Sequence, residues 1–352
     1  MKKILIAFFL CITTLMNSCD INLNSNISNS KEEHIHSYAS KIVMPTCISQ
    51  GYTFHVCNCG KNYKDQITNA LGHNYIEKEQ NYKCSRCERY EDEGFVFELV
   101  TSDMAKNDDS YKERINTYYV KNVTDKAIEN GKVSLPRKHM GYQVSGIYKG
   151  ALYYVKSKIK TLYIPNVIKY IGSNLVGYDG QFGTSNENVA LEEILFDDKC
   201  SDMVVSHTAF QFCKKVSNIS IPIGSIKYFN HDDIISNHFI FEDTAYYKNN
   251  RIEERGCYYI FGILTESNQK NVNSNFAIKD GTTIIANHAF MGNTNIKTIE
   301  LPSSLKYIGK NAFAQCASLT TINYKSSESM FNKILIEENA FHDCKTIIYQ
   351  FN

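Results

Sequence analysis

In the last third of the chain, apolar positions recur in a fixed phrase rather than at a simple helical or strand period. Ile296, Ile299 and Leu301 lead into Pro302, Leu305 and Ile308 lead into Gly309, and Ala312-Phe313 leads into Cys316. The phrase has an echo 23 residues away, with Ile285 for Ile308, Ala289-Phe290 for Ala312-Phe313, and Ile322 for Ile299. A short fixed period of this kind predicts a solenoid. Ile299 and Leu301 fall on one face of a period-two strand, which leaves Thr298 and Glu300 outward. Gly309 predicts a sharp bend. Phe313 and Cys316, three apart, share one side of a helical turn. Each unit therefore has an apolar face that only its neighbours can cover, and stacking makes a continuous core. The recurring Cys213, Cys316 and Cys344 read as small core residues rather than as disulfide or redox groups.

The same phrase is recognisable upstream. Ile159, Leu162, Ile164 and Pro165 precede Ile171-Gly172, and Leu191, Ile194 and Phe196 form another copy. Ala209-Phe210 with Cys213 leads into Val216, Ile219, Ile221 and Pro222. Ile336 to Ala340-Phe341 with Cys344 closes the series after an insertion at Ser326 to Asn332, and weaker matches reach back to Val133-Ser134-Leu135-Pro136. These residues resemble the BspA-like leucine-rich repeats of bacterial surface proteins, over roughly Gly94 to the last residue. The resemblance implies a β-rich α/β solenoid whose outward strand positions display a recognition surface. Those positions are Thr161 and Tyr163, Glu193 and Leu195, Asn218 and Ser220, Thr298 and Glu300, and Thr321 and Asn323. The ladder is mostly neutral and polar, with two acids, which suits a protein or glycan partner better than an anionic polymer. The aromatic runs Ala245 to Asn250 and Cys257 to Leu264 interrupt the repeat and predict strands or hairpins within a wider solenoid turn.

The other end of the chain predicts export. Lys2-Lys3 precedes an apolar stretch from Ile4 to Leu15 that is short for a membrane span, as in a secretory signal. Met16-Asn17-Ser18-Cys19 resembles a bacterial lipobox, which implies cleavage before Cys19 and its lipidation, although Leu15 and Asn17 depart from the pattern; ordinary signal cleavage is the alternative. Asp20 to Glu33 is rich in Asn, Ser and charge and reads as a tether. The expected organisation is a signal peptide at 1–18, anchor cysteine and tether at 19–33, a Cys/His-rich module at 34–92, and the leucine-rich-repeat domain at 93–352.

Five cysteines crowd the module: Cys47, Cys57, Cys59, Cys84 and Cys87. A degenerate duplication runs through it, His36-Ser-Tyr38 returning as His73-Asn-Tyr75, and Cys57-Asn-Cys59 as Cys84-Ser-Arg-Cys87. Closely spaced cysteines with a distant His offer the tetrahedral N and S ligands that zinc prefers. On this reading the first copy supplies His36, Cys47, Cys57 and Cys59. The second supplies only His73, Cys84 and Cys87, so it needs a borrowed ligand or goes unmetallated. Export favours disulfides instead, but an odd number of cysteines leaves one over. Structural zinc, disulfides and reduced thiols all stay open. His34 and His55 read as exposed bystanders.

A net charge of +1 over 352 residues gives no footprint for nucleic acid. Gly177 to Gly183 lacks the lysine and the strand context of a phosphate loop, so it reads as an insertion. Asp197-Asp198 with Asp202 reads as a solvated turn. His207 and His231-Asp232-Asp233 lack a nucleophile or paired carboxylates, so no catalytic site is expected. The sequence thus predicts a lipid-anchored surface protein that binds an extracellular protein or glycan. The rivals are an envelope-organising structural protein and, further off, a metal-dependent enzyme.

Overall fold

The computed structural model describes residues 35–78, 80–107, 109–177, 188–230 and 239–352. The signal segment, Cys19, the tether, His34, most of the Gly177–Gly183 insertion and His231 to Asp233 lie outside the described residues.

Two compact units are present. The smaller comprises residues 35–43 and 52–67, a three-stranded sheet in which Tyr38–Val43 pairs antiparallel with Gly51–Cys57, and Asn62–Thr68 adds the third strand. His55 is well ordered there. Its Nε2 lies 2.8 Å from Asp65 Oδ1, its Nδ1 2.7 Å from Ser40 Oγ, and its ring stacks on Tyr63 at 4.4 Å. The expectation of an exposed bystander fails because cross-strand neighbours enclose the ring, leaving the side chain 15% exposed.

The larger unit, Met44–Gly51 with Thr68–Asn352, holds the second half of the Cys/His segment and the whole solenoid. Eight parallel strands form its front face in two blocks of four. The first block is Lys132–Ser134, Thr161–Ile164, Glu193–Phe196 and Asn218–Ser220; the second is Asn275–Ala277, Thr298–Leu301, Thr321–Tyr324 and Ile348–Phe351. Burial alternates in the first seven as the sequence predicts, with Leu162, Ile164, Ile194, Phe196, Ile299, Leu301, Ile322 and Tyr324 inside, whereas the last, Ile348–Phe351, is exposed throughout.

Short back strands complete each turn, among them Tyr170–Ile171 and Met203–Ser206 in the first block and Ile284–Ile285 and Tyr307–Ile308 in the second. Ile284–Ile285 and Tyr307–Ile308 are buried on both sides, whereas the last back strand, Leu335–Ile336, is exposed. Leu264, Ile285 and Ile308 pack into that block's own core, whereas Ile263, Ile284 and Tyr307 join the core of the first block with Ile221 and Ile226. Between the blocks the chain makes an antiparallel meander, Ile252–Glu254, Cys257–Ile260 and Ile263–Ser267, whose last strand restarts the parallel ladder on Ile284–Ile285. Ala245–Asn250, expected as strand, is a short helix because Thr244 caps it, its side chain accepting from Tyr247 N.

The Ala-Phe-x-x-Cys step is one tight turn, with Cys316 N donating to Phe313 O and Asn293 N to Phe290 O. Its fourth residue is left-handed in the four described copies: Phe212, Gly292, Gln315 and Asp343 have φ of 68°, 72°, 59° and 57°. The Phe rings form a stack, Phe290 on Phe313 at 5.0 Å and Phe313 on Phe341 at 5.2 Å. The cysteines have a polar task beyond filling space. Cys316 Sγ donates to Phe290 O and Cys344 Sγ to Phe313 O, each at 3.1 Å, so each thiol ties its turn to the one before. Burial pushes the Cys213 and Cys316 thiols up to about 12, which keeps them unreactive. Gly309 serves close approach rather than the expected bend. A Cβ there would lie 2.4 Å from Asn287 Oδ1 and 2.7 Å from its backbone N.

His288 occupies the left-handed position that Asn311 and Asn339 fill in the following copies, with φ of 59°, 55° and 59°. Burial first, and then the charge of Lys310, hold its imidazole below the ordinary value of 6.5. The unfolded chain therefore takes up the proton first. This contribution to stability is complete above the unfolded value and is lost as pH falls through it toward the folded one. We expect His288→Asn, a residue suited to the left-handed region, to flatten the stability loss between about pH 7 and pH 5. Melting temperatures measured across that window should show a shallower slope for the variant than for the native chain.

Candidate functional site

The Cys/His segment makes two ligand groups. Cys47, His73, Cys84 and Cys87 bring their ligand atoms within 4.8 Å of one another, and His36, Cys57 and Cys59 do the same separately. Cys47 therefore joins the second copy rather than the first, and it is the borrowed ligand which that copy needs. The physical reason is a backbone bond: Leu71 N donates to Thr46 O at 2.9 Å, which sets the Cys47 turn beside His73. None of the ten described cysteines forms a disulfide.

Each knuckle is a tight turn closing a hairpin. In the three-ligand group Gly60 N donates to Cys57 O and Cys57 N to Lys61 O, with Gly60 at a φ of 90°, and Cys59 Sγ lies 3.2 Å from His36 Nδ1. In the four-ligand group Tyr75–Lys78 pairs with Asn81–Cys84, Cys84 N donates to Arg89 O, and Arg86 N donates to Cys84 Sγ at 3.4 Å. Burial raises the Cys84 thiol, but the amides of Arg86 and Cys87 and the His73 side chain outweigh it and draw the thiol down; burial and the two neighbouring sulfurs push Cys47 up.

The spacing suits a tetrahedral ion. Zinc–sulfur bonds of about 2.3 Å and zinc–nitrogen bonds of about 2.0 Å give ligand-to-ligand edges of about 3.8 Å and 3.5 Å. Cys47 Sγ lies 3.8 Å from Cys84 Sγ, and Cys87 Sγ lies 3.3 Å from His73 Nδ1. The four-ligand group can thus hold a metal as a closed site. The three-ligand group leaves a coordination position to be filled from elsewhere.

His73 presents Nδ1 to the sulfurs and Nε2 to Glu129, whose Oε2 is 2.9 Å away at a bent angle; Arg89 Nη1 holds the other carboxylate oxygen at 2.9 Å. The sequence carries no local signal for Glu129. It sits on the turn that opens the solenoid, where Glu129 and Lys132 exchange backbone bonds.

Outward residues line up as expected. Lys132, Thr161, Glu193 and Asn218 are in register across the first block, as are Ser134, Tyr163, Leu195 and Ser220. The second block aligns Thr298 with Thr321 and Glu300 with Asn323. Glu193 is pinned by Thr161 Oγ1 at 2.9 Å and Asn218 Nδ2 at 3.2 Å, and Glu300 by Lys325 at 2.8 Å. Tyr163 donates to Asp197 Oδ2 at 3.0 Å, with Lys132 over its ring. The Lys199 amide, followed by that hydroxyl, holds the Asp197 carboxyl below the usual range, so Asp197 is a ladder-edge acceptor and more than a solvated turn.

A cleft of about 920 Å³ joins the two features. The ligand group reaches it through Cys47 and His73, the solenoid through Lys132, Arg137, Thr161 and Tyr163. Glu91 accepts from Arg137 Nε at 2.9 Å and from its backbone N at 3.0 Å, while the guanidinium stacks on Tyr82 at 3.7 Å.

These features define a leucine-rich-repeat solenoid of eight turns joined to a Cys/His segment able to hold metal. Residues 267–350 match the BspA type leucine rich repeat region, in six copies, and are repeats of that type. No curated protein matches the chain. Among solved structures it is similar to a T. pallidum leucine rich repeat protein, at 16% identity over 73% of this chain and 83% of that one, with a TM-score of 0.29. A leucine rich cell surface protein from Faecalibacterium prausnitzii A2-165 is similar at 15% identity, 73% and 86% coverage and a TM-score of 0.26. A leucine-rich repeat protein from Bacteroides ovatus ATCC 8483 gives 15%, 73%, 52% and 0.32. The fold assignment rests on the strand pairing and the repeat match. No described helix is long and apolar enough to cross a membrane.

Proposed function

We propose that this is an exported, lipid-anchored recognition scaffold that binds an extracellular protein or glycan on the front face of its first block, with structural zinc in the Cys/His segment. The observation that carries the reading is the cleft, where the outward ladder meets a second wall. Concave sites with a few convergent polar groups and aromatic rings are where ligands settle. Tyr163, Tyr75 and Arg137 offer faces and donors for a sugar ring or a peptide, and Thr161, Glu193 and Asn218 extend the row. The N-terminal signal and the Cys19 lipobox support the address.

The test uses the full chain in detergent against arrays of extracellular proteins and wall or host glycans. Tyr163→Ala with Glu193→Lys should weaken the captured ligand by at least about tenfold, as loss of one or two central contacts does. Glu300→Lys in the second block should leave it unchanged. A folded native chain that captures nothing, or whose capture ignores the first-block changes, would overturn the reading.

A further inference from the structure

The four-ligand group is built into the solenoid as well as into the Cys/His segment. Three contacts join them. Glu129 closes on His73 Nε2 from the solenoid's opening turn, with Arg89 on its far oxygen. Its neighbour Asn130 donates through Nδ2 to Ile48 O at 2.7 Å, one residue from Cys47. Arg89 also donates to Lys126 O at the start of the same turn. The turn passes the constraint inward, since Lys160 N and Thr161 N both donate to Gly131 O, and Thr161 begins the ladder.

From this arrangement we infer that Glu129 is a positioning residue for a zinc ion held by Cys47, His73, Cys84 and Cys87, and that the ion fixes the wall of the cleft formed by residues 129–134. The inference rests on the proposal that the segment holds zinc. A ligating imidazole that gives its second N–H to a carboxylate is held in one tautomer and orientation and is a stronger ligand. Nδ1 faces the sulfurs here, and Nε2 lies 2.9 Å from a carboxylate already paired with Arg89, within reach of such a relay although its N–H points off the oxygen. Three thiolates and an imidazole carry a formal charge of −3, so a divalent cation relieves repulsion that would otherwise spread the ligands. With the ion bound, the opening turn is tied at two adjacent residues, Glu129 through His73 and Asn130 through the Cys47 turn. Once the ion leaves, His73 and Cys47 lose their common centre, and the turn is held by its backbone bridge, Arg89 and the Asn130 bond alone.

The experiment is zinc competition against a chromophoric chelator on the full chain in detergent, with cobalt substitution to report thiolate coordination. The native chain should bind zinc at the four-ligand group with a tetrahedral cobalt spectrum. Glu129→Ala should weaken binding 10–100-fold, the range for outer-shell changes. Glu129→Asp should recover part of the loss, and Glu129→Gln, which keeps an acceptor without its charge, should fall between. Amide exchange should then rise on zinc removal at Glu129, Lys132 and Thr161 and stay unchanged at Ile322 in the second block. A native chain that takes up no zinc overturns the zinc reading itself. Native uptake that Glu129→Ala leaves within about twofold in a folded protein, or exchange at Lys132 indifferent to zinc, overturns this inference alone.

Discussion

Replacing Phe313 with alanine should destabilise the protein by about 3–5 kcal/mol, the usual cost of removing a fully buried aromatic ring from a packed core. The ring has no exposed surface and is sandwiched between Phe290 and Phe341 with interplanar angles of 7° and 1°. No small adjustment closes the space, because the turn around it is fixed. Phe313 N donates to Ala340 O, Cys316 N to Phe313 O, and Cys344 Sγ takes Phe313 O as its acceptor. The damage also spreads along the array, since each turn of a solenoid is stabilised by its neighbours. Phe341→Ala should cost clearly less, its ring being only partly buried and stacked on one side. Urea unfolding of the two variants checks both values, and a Phe313→Ala loss below about 1.5 kcal/mol would mean the turn collapses onto the gap.

Cys47→Ser should remove zinc from the four-ligand group and leave the His36, Cys57 and Cys59 group unaffected. Losing a ligand from a closed tetrahedral set costs more than the 10–100-fold of an outer-shell change, because the ion must then complete its shell with water. His36→Ala should have the opposite pattern, sparing the Cys47 group. Zinc content and cobalt absorbance measured on the two variants separate the groups. The outcome that would break this assignment is a Cys47→Ser protein that still holds metal at native level on His73, Cys84 and Cys87. Because metal binding and folding are linked, Cys47→Ser should also lower the melting temperature, and added zinc should not restore it.

Most of the solenoid was legible because its determinants are local and repeated. Ile299, Leu301 and Phe313 each face a direction set by their own short phrase, so the outward ladder and its register follow from position alone. Other features depend on partners distant in sequence. The break between blocks comes from an insert with no period, and only the folded chain shows that Ile284 and Tyr307 look back into the first core. Ala245–Asn250 has strand-forming tyrosines, and the Thr244 cap overrides them. Gly309 was legible as a glycine that matters, but its reason lies in Asn287 on the preceding turn. The duplicated Cys/His copies suggested that Cys47 would serve the first, in which it lies. Four ligands in one copy and three in the other left a deficit visible in the sequence, yet not which cysteine would cross over. Glu129 could not be found at all, since an acid before Asn-Gly is common in turns and its partner is 56 residues away in the chain.

The seam between the two blocks governs how the solenoid comes apart. A repeat array with independent halves would melt in two steps, the weaker half first. Here the second block's back strands are lined on one side by Ile221 and Ile226 of the first, so neither half keeps a complete interior once the other is lost. The insert that interrupts the repeat in sequence therefore makes the array more cooperative, coupling eight turns into a single transition.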